Sequence, residues 1–131
     1  IIEFLSFDSD IYLGGTVHVI KLFYVHSLGD IIKNRLKIID GVYWGGDIDD
    51  IRKHIASGKL TTSEIRFFAG YSGWEPFQLD REMKENSWIV LDGQKRYVFG
   101  TRPAGLWKNI VLSLGEDYAP WINYPFDPNM N

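Results

Sequence analysis

The run Phe67-Phe68-Ala69-Gly70-Tyr71-Ser72-Gly73-Trp74, continuing through Glu75-Pro76-Phe77-Gln78-Leu79, constrains the fold of this chain more than any other stretch. The apolar residues Ile65 to Ala69 suit a central strand, because a strand covered on both faces needs no polar alternation. Gly70 and Gly73 open backbone angles closed to other residues, and Pro76 is placed for the first turn of a helix. The stretch therefore reads as a buried strand that breaks through two glycines into a helix over residues 76–85, with Leu79 and Met83 one turn apart. Such a junction fixes an element of the fold without naming a reaction.

The remaining elements follow from local pattern. Ile11-Tyr12-Leu13-Gly14-Gly15 and Val42-Tyr43-Trp44-Gly45-Gly46 are near copies, each a strand end turning at a Gly pair. Two copies fall short of a solenoid and are read as paired local geometry. Between them lie a buried strand at Leu22-Phe23-Tyr24-Val25, a turn at Gly29-Asp30 and a shorter strand from Leu36 to Ile39. Asp47 to Gly58 predicts a helix: Asp47 caps it, Asp49 and Asp50 favour its positive end, Lys53 and His54 its negative end, and Ile48, Ile51 and Ile55 form the buried stripe. Ser87 to Leu91 reads as a strand, Asp92-Gly93 as a turn and Arg96 to Phe99 as another strand. Thr101-Arg102-Pro103 opens a third helix in which Leu106, Trp107, Ile110, Val111 and Leu114 share a face, and Gly115 ends it. The tail from Tyr118 carries Pro120, Pro125 and Pro128 among aromatics, and reads as an ordered strap rather than a regular element. The chain opens at Ile1, and Ile2 to Phe7 already alternates like a strand, as expected of a segment that begins inside a fold.

Length and charge narrow the function classes. With 131 residues the chain fits one domain over 1–131. A net charge of -3 with no basic run leaves no footprint for phosphate-driven binding of duplex DNA. The absence of cysteine removes disulfides, zinc thiolate sites and thiol catalysis, and it suits a reducing cytoplasm. No apolar run is long enough to span a membrane and no signal pattern opens the sequence. A cytoplasmic protein is expected.

Several constellations invite chemistry. Gly70-Tyr71-Ser72-Gly73 sits at a strand-to-helix turn, as a hydrolase nucleophile would, but Trp74 stands where the Gly-x-Ser-x-Gly elbow needs glycine. Ser72 is read as a turn residue. A helix N-terminus reached through glycines can hold an anion, yet Glu75 and Asp80 bring negative charge there, and tight backbone packing is the preferred reading. His18 reads as a strand residue and His54 as a helix C-terminal one; no pair of histidines has metal-ligand spacing. Asp47, Asp49 and Asp50 lack the glycine and terminal Glu of a calcium loop, so capping is preferred. Trp74, Trp88 and Trp107 fall on predicted core faces, whereas Trp44 and Trp121 flank turns. No cofactor and no metal site is expected.

Taken in order, Tyr12-Leu13-Gly14-Gly15, Leu22 to Ser27, Gly41 to Asp47, Phe68 to Trp74 with Gln78-Leu79, Asn86-Ser87-Trp88, Phe99-Gly100-Thr101, Leu106-Trp107 and Pro125 to Pro128 with Asn131 resemble the AlgH/YqgE family of bacterial proteins. The resemblance implies an α+β fold with a mixed, bifurcated and partly barrel-like sheet wrapped by about three helices. It carries the label of transcriptional regulator and singles out His26, which lies in one of the shared motifs. Two departures stand out: the family pattern has glycine where this chain has Glu75 and Phe77, and the family's N-terminal portion has no counterpart here. The expected function is regulatory, through contact with another macromolecule and without catalysis. A protein partner is favoured, direct nucleic-acid binding is doubted, and no membrane is involved. The candidate interaction surface comprises Gly14, Gly15, His26, Gly45, Gly46, Gly70, Tyr71, Ser72, Gly73 and Trp74. The alternative is a ligand-binding or hydrolase-like domain with a pocket at the Gly70–Trp74 turn.

Overall fold

Five of the apolar runs become strands of one sheet in the computed structural model, which describes residues 7–100 and 102–123. They are β1 (Ile11–Leu13), β2 (Val17–His26), β3 (Leu36–Ile39), β4 (Val42–Trp44) and β5 (Ile65–Tyr71), in the spatial order β1-β5-β2-β4-β3. β1 runs parallel to β5, and the other neighbouring pairs are antiparallel. The protein is thus α+β with a mixed sheet. Among the described residues β1 and β3 are open edges, so the sheet does not close into a barrel. The chain divides into two compact units, Ile1–Phe99 and Gly100–Asn131.

Register decides what each face carries. Tyr24 lies opposite Phe67 and His26 opposite Ile65, while Phe23 lies opposite Phe68 and Val25 opposite Arg66. Because side chains alternate along a strand, these pairs fall on opposite faces. The first face is the core: Ile65 and Phe67 join Ile32, Ile51 and Leu60, with Leu22, Tyr24, Leu28, Ile48 and Ile55 packed around them. Each fully buried aliphatic side chain of this cluster contributes about 1.5–3 kcal/mol by leaving water.

Helix α1 (Ile48–Ala56) lays its isoleucines on that face as the spacing requires. Asp47 Oδ1 accepts the Asp49 amide at 2.9 Å and caps the helix. Asp49 pairs with Arg52, and Asp50 Oδ2 accepts the Lys33 amide, so all three carboxylates have protein contacts and the capping reading holds for Asp47. Helix α2 (Gln78–Lys84) starts two residues after Pro76, later than expected. Its entry is held by the Glu75 amide donating to Gln78 Oε1 at 2.9 Å, and Phe77 before it takes the left-handed φ of 65°.

The two strands expected after α2 are not formed. Residues 87–94 have no regular structure, and Lys95–Phe99 is a short helix, α3. The segment does alternate in exposure: Trp88 and Val90 are exposed while Ile89 and Leu91 are half-buried. An extended segment becomes a strand only by pairing with a sheet edge, and this one pairs with neither open edge, β1 nor β3. α3 instead points the Phe99 carbonyl at Arg66 Nη2, 3.2 Å away.

In the second unit, α4 (Pro103–Ser113) begins with proline at its first position and is followed by Gly115 at φ 103°. Val111 is fully buried, and a 3-10 segment, Glu116–Asn123, brings Trp121 within 6.3 Å of Trp107 between ring centroids. The expected strand at Ile2 to Phe7 and the tail beyond Asn123 fall largely outside the described residues.

Candidate functional site

The two Gly pairs of the candidate surface are places where chain meets chain. A Cβ on Gly14 would stand 2.3 Å from the Gly70 carbonyl oxygen, so the approach at the end of β1 needs glycine at 14, while a Cβ on Gly70 would stand 2.7 Å from the Val17 carbonyl oxygen of β2. The Gly45-Gly46 turn is stapled from β2. Tyr24 Oη donates to the Gly46 carbonyl at 2.7 Å, and the Tyr24 carbonyl accepts the Gly45 amide at 3.0 Å. A Cβ on Gly46, whose φ is 113°, would meet Ile32 Cγ2 at 2.6 Å and the Lys33 carbonyl at 2.9 Å.

His26 belongs to the same staple. Its side chain is fully buried and stacks on Tyr43 at 5.8 Å. The Leu28 amide donates to Nδ1 at 3.2 Å, which makes Nδ1 the acceptor and leaves Nε2–H to donate to the Gly45 carbonyl at 2.9 Å. Burial holds its pKa below the ordinary 6.5, against the opposing pull of the Gly45 hydrogen bond. Both ring nitrogens are engaged, so His26 serves the turn rather than a substrate.

The turn after β5 is built differently. Tyr71, Ser72, Gly73 and Trp74 are all exposed. Ser72 Oγ makes no hydrogen bond to a histidine among the described residues, and no triad is assembled around it. Trp74 does not enter the core, and neither does Trp88; each is more than two-fifths exposed, as are Leu79 and Met83. Both indoles instead converge on one carboxylate. Trp88 Nε1 donates to Glu82 Oε2 at 2.7 Å and Trp74 Nε1 to the same oxygen at 3.1 Å, while Gln78 Nε2 donates to Oε1 at 2.8 Å. These bonds, that from Trp88 foremost, hold the Glu82 carboxyl below the usual carboxylate range. The two rings meet edge to face with centroids 5.6 Å apart. Phe77, 81% exposed, and Val90, 73% exposed, add to the apolar surface of the same segment.

Of the candidate residues, the structure places Gly14, Gly15 and Gly70 together at the β1–β5 contact, His26 with Gly45 and Gly46 at the β4 turn, and Tyr71 to Trp74 at the exposed turn. Glu82, Gln78 and Trp88 were missed. The signal for them was the Gln78–Glu82 spacing of one helical turn between two tryptophans, which puts an acceptor within reach of both indoles.

A family model described as AlgH-like matches residues 2–119 of this chain. The chain belongs to the AlgH-like family. Relatives of this AlgH-like chain include a protein named "UPF0301 protein" from Parabacteroides distasonis, 43% identical over 98% of this chain and 66% of its own length. Another of the same name, from Cytophaga hutchinsonii, is 38% identical over 98% of this chain and 71% of its own. The solution structure of AlgH from Pseudomonas aeruginosa shares the fold, with a TM-score of 0.64 and 24% identity over 90% of this chain and 61% of that one. The chain thus spans roughly two thirds of the length of the curated relatives it matches. Among the described residues no helix is long and apolar enough to cross a membrane.

Proposed function

We propose that this AlgH-like chain is a cytoplasmic regulatory protein that acts by contact with a protein partner and carries out no catalysis. The observation that supports the reading is the Trp74–Glu82–Trp88 cluster. Its indoles are oriented by hydrogen bonds while their faces stay in solvent. Tryptophans held in one rotamer lose little entropy on binding, and such residues anchor protein interfaces. Phe77 and Val90 extend an apolar surface around them. The ligand-pocket alternative gains no support from the geometry, because the Gly70 end of the turn is closed by the Val17 carbonyl and Ser72 lacks a base.

The test is a photoreactive residue placed at Phe77 in cells. A discrete protein adduct is expected that disappears when Trp74→Ala and Trp88→Ala are combined in a chain that still folds. Adducts no different from those formed by the same group at exposed Lys59 would remove the support for the reading.

A further inference from the structure

We propose that the face of the sheet opposite the core, centred on Phe23, Trp44 and Tyr71, binds single-stranded nucleic acid by stacking. These residues differ from the tryptophan cluster above, and the inference stands apart from the protein-partner reading. Phe23 lies 5.7 Å from Trp44 with a tilt of only 32°, and 6.3 Å from Tyr71, which leaves the core-side alternation of β5 after Gly70 at φ 80°, so three rings from three strands form a continuous aromatic surface. Val25 and Val42 on this side are buried, so the open part is the stretch around these three rings. Trp44 is 42% exposed and Tyr71 43% exposed, and Phe68, in register with Phe23, extends the row to Tyr12. Leu36, opposite Trp44, widens the open side.

Charge favours a polyanion there. Lys21 Nζ lies 5.4 Å from the Phe23 ring centroid, and no carboxylate pairs with it among the described residues. Arg66, half-buried, lies 5.7 Å from the Tyr12 ring and 6.0 Å from the Phe99 ring and is fixed by the carbonyls of Thr62, Ile65 and Phe99 at 2.7, 3.2 and 3.2 Å, all neutral acceptors. Asp10 precedes Ile11 at this edge of the sheet without an ion pair to Arg66. Aromatic residues on a sheet surface with interleaved cations match how single strands are recognised, since unstacked bases offer flat faces that paired bases keep hidden. The overall charge of -3 disfavours duplex, whose affinity comes from phosphate contacts, and weighs less on binding driven by stacking.

The experiment is fluorescence anisotropy of short labelled RNA and DNA single strands, and of the matching duplex, titrated with the full chain across a salt series. Saturable binding of single strands and little of duplex is expected. Trp44→Ala and Tyr71→Ala should each weaken it by about 5- to 100-fold. Lys21→Gln, which alters an exposed side chain and leaves folding intact, should make the salt slope shallower by about 0.7, with Lys59→Gln leaving it unchanged. No single-strand binding, equal affinity for duplex, or full binding by both Trp44→Ala and Lys21→Gln overturns the proposal. So does a Trp44 signal that follows protein concentration alone, which would give this face to a second copy of the chain.

Discussion

The turn after β4 and the turn after β5 look alike in sequence, each an aromatic strand end with glycine within two residues, and the protein uses them in opposite ways. The first is buried in contacts: Tyr24 and His26 hold the backbone of Gly45 and Gly46, and Ile32 fills the space where a side chain would go. The second leaves Ser72, Gly73 and Trp74 in solvent and spends its hydrogen bonds on the orientation of two indoles. A glycine-rich turn is therefore not itself a site. What distinguishes the two is whether the neighbouring side chains point their polar atoms at the turn or at one another.

Exchanging one glycine from each turn tests this contrast most severely. Gly46→Ala combines a clash with Ile32 and the Lys33 carbonyl with a left-handed φ, and is expected to lower stability by about 3–4 kcal/mol in urea unfolding. Gly73→Ala meets only the Tyr71 ring at 3.4 Å and should change stability by less than about 0.5 kcal/mol. Equal effects would erase the distinction.

His26→Ala comes next, at about 2 kcal/mol, because the Leu28 amide and Gly45 carbonyl lose their partner. The same geometry sets a pH dependence. The folded pKa lies below 6.5, so the contribution of neutral His26 is complete above 6.5 and is lost as pH falls from there towards the folded value. A stability profile flat through this range, or unchanged by His26→Ala, would contradict the tautomer assigned here.

At the other turn acid acts on orientation rather than on the core. The folded pKa of Glu82 lies below 4.5, so the cluster is intact above 4.5 and loosens as pH drops through the folded value. Glu82→Gln should reproduce that loosening at neutral pH as a shift in tryptophan emission with the melting temperature nearly kept. A large loss of stability instead would make the cluster part of the core after all.

How much of this was legible in the sequence depends on whether local pattern or distant pairing decided the outcome. The α1 cap and isoleucine stripe, the strands around Phe23 and Phe67 and the proline start of α4 follow from near neighbours, and each formed where expected. The α+β class came through the resemblance carried by the motifs. Ser87 to Leu91 has the local composition of a strand but pairs with neither open edge of the sheet, and pairing is decided by distant parts of the chain. Trp74 and Trp88 fall on predicted core faces by their place in the sequence pattern, whereas the structure holds both outside through their shared acceptor, Glu82.

Phe77 offers the smallest effect and the sharpest reading of the exposed turn. It holds φ 65°, where a side chain is disfavoured by about 1–2 kcal/mol and glycine is not. Its ring is 81% exposed and so recovers little of that by packing. Glycine's greater freedom in the unfolded chain offsets about 0.5–1 kcal/mol of the relief, so Phe77→Gly should raise stability by about 0.5 kcal/mol. A lower melting temperature would show that the ring packs more than its exposure indicates. If stability rises while crosslinking of the Trp74–Trp88 surface falls, the strain is maintained for what the ring touches in a partner, which is the inference an exposed strained aromatic invites.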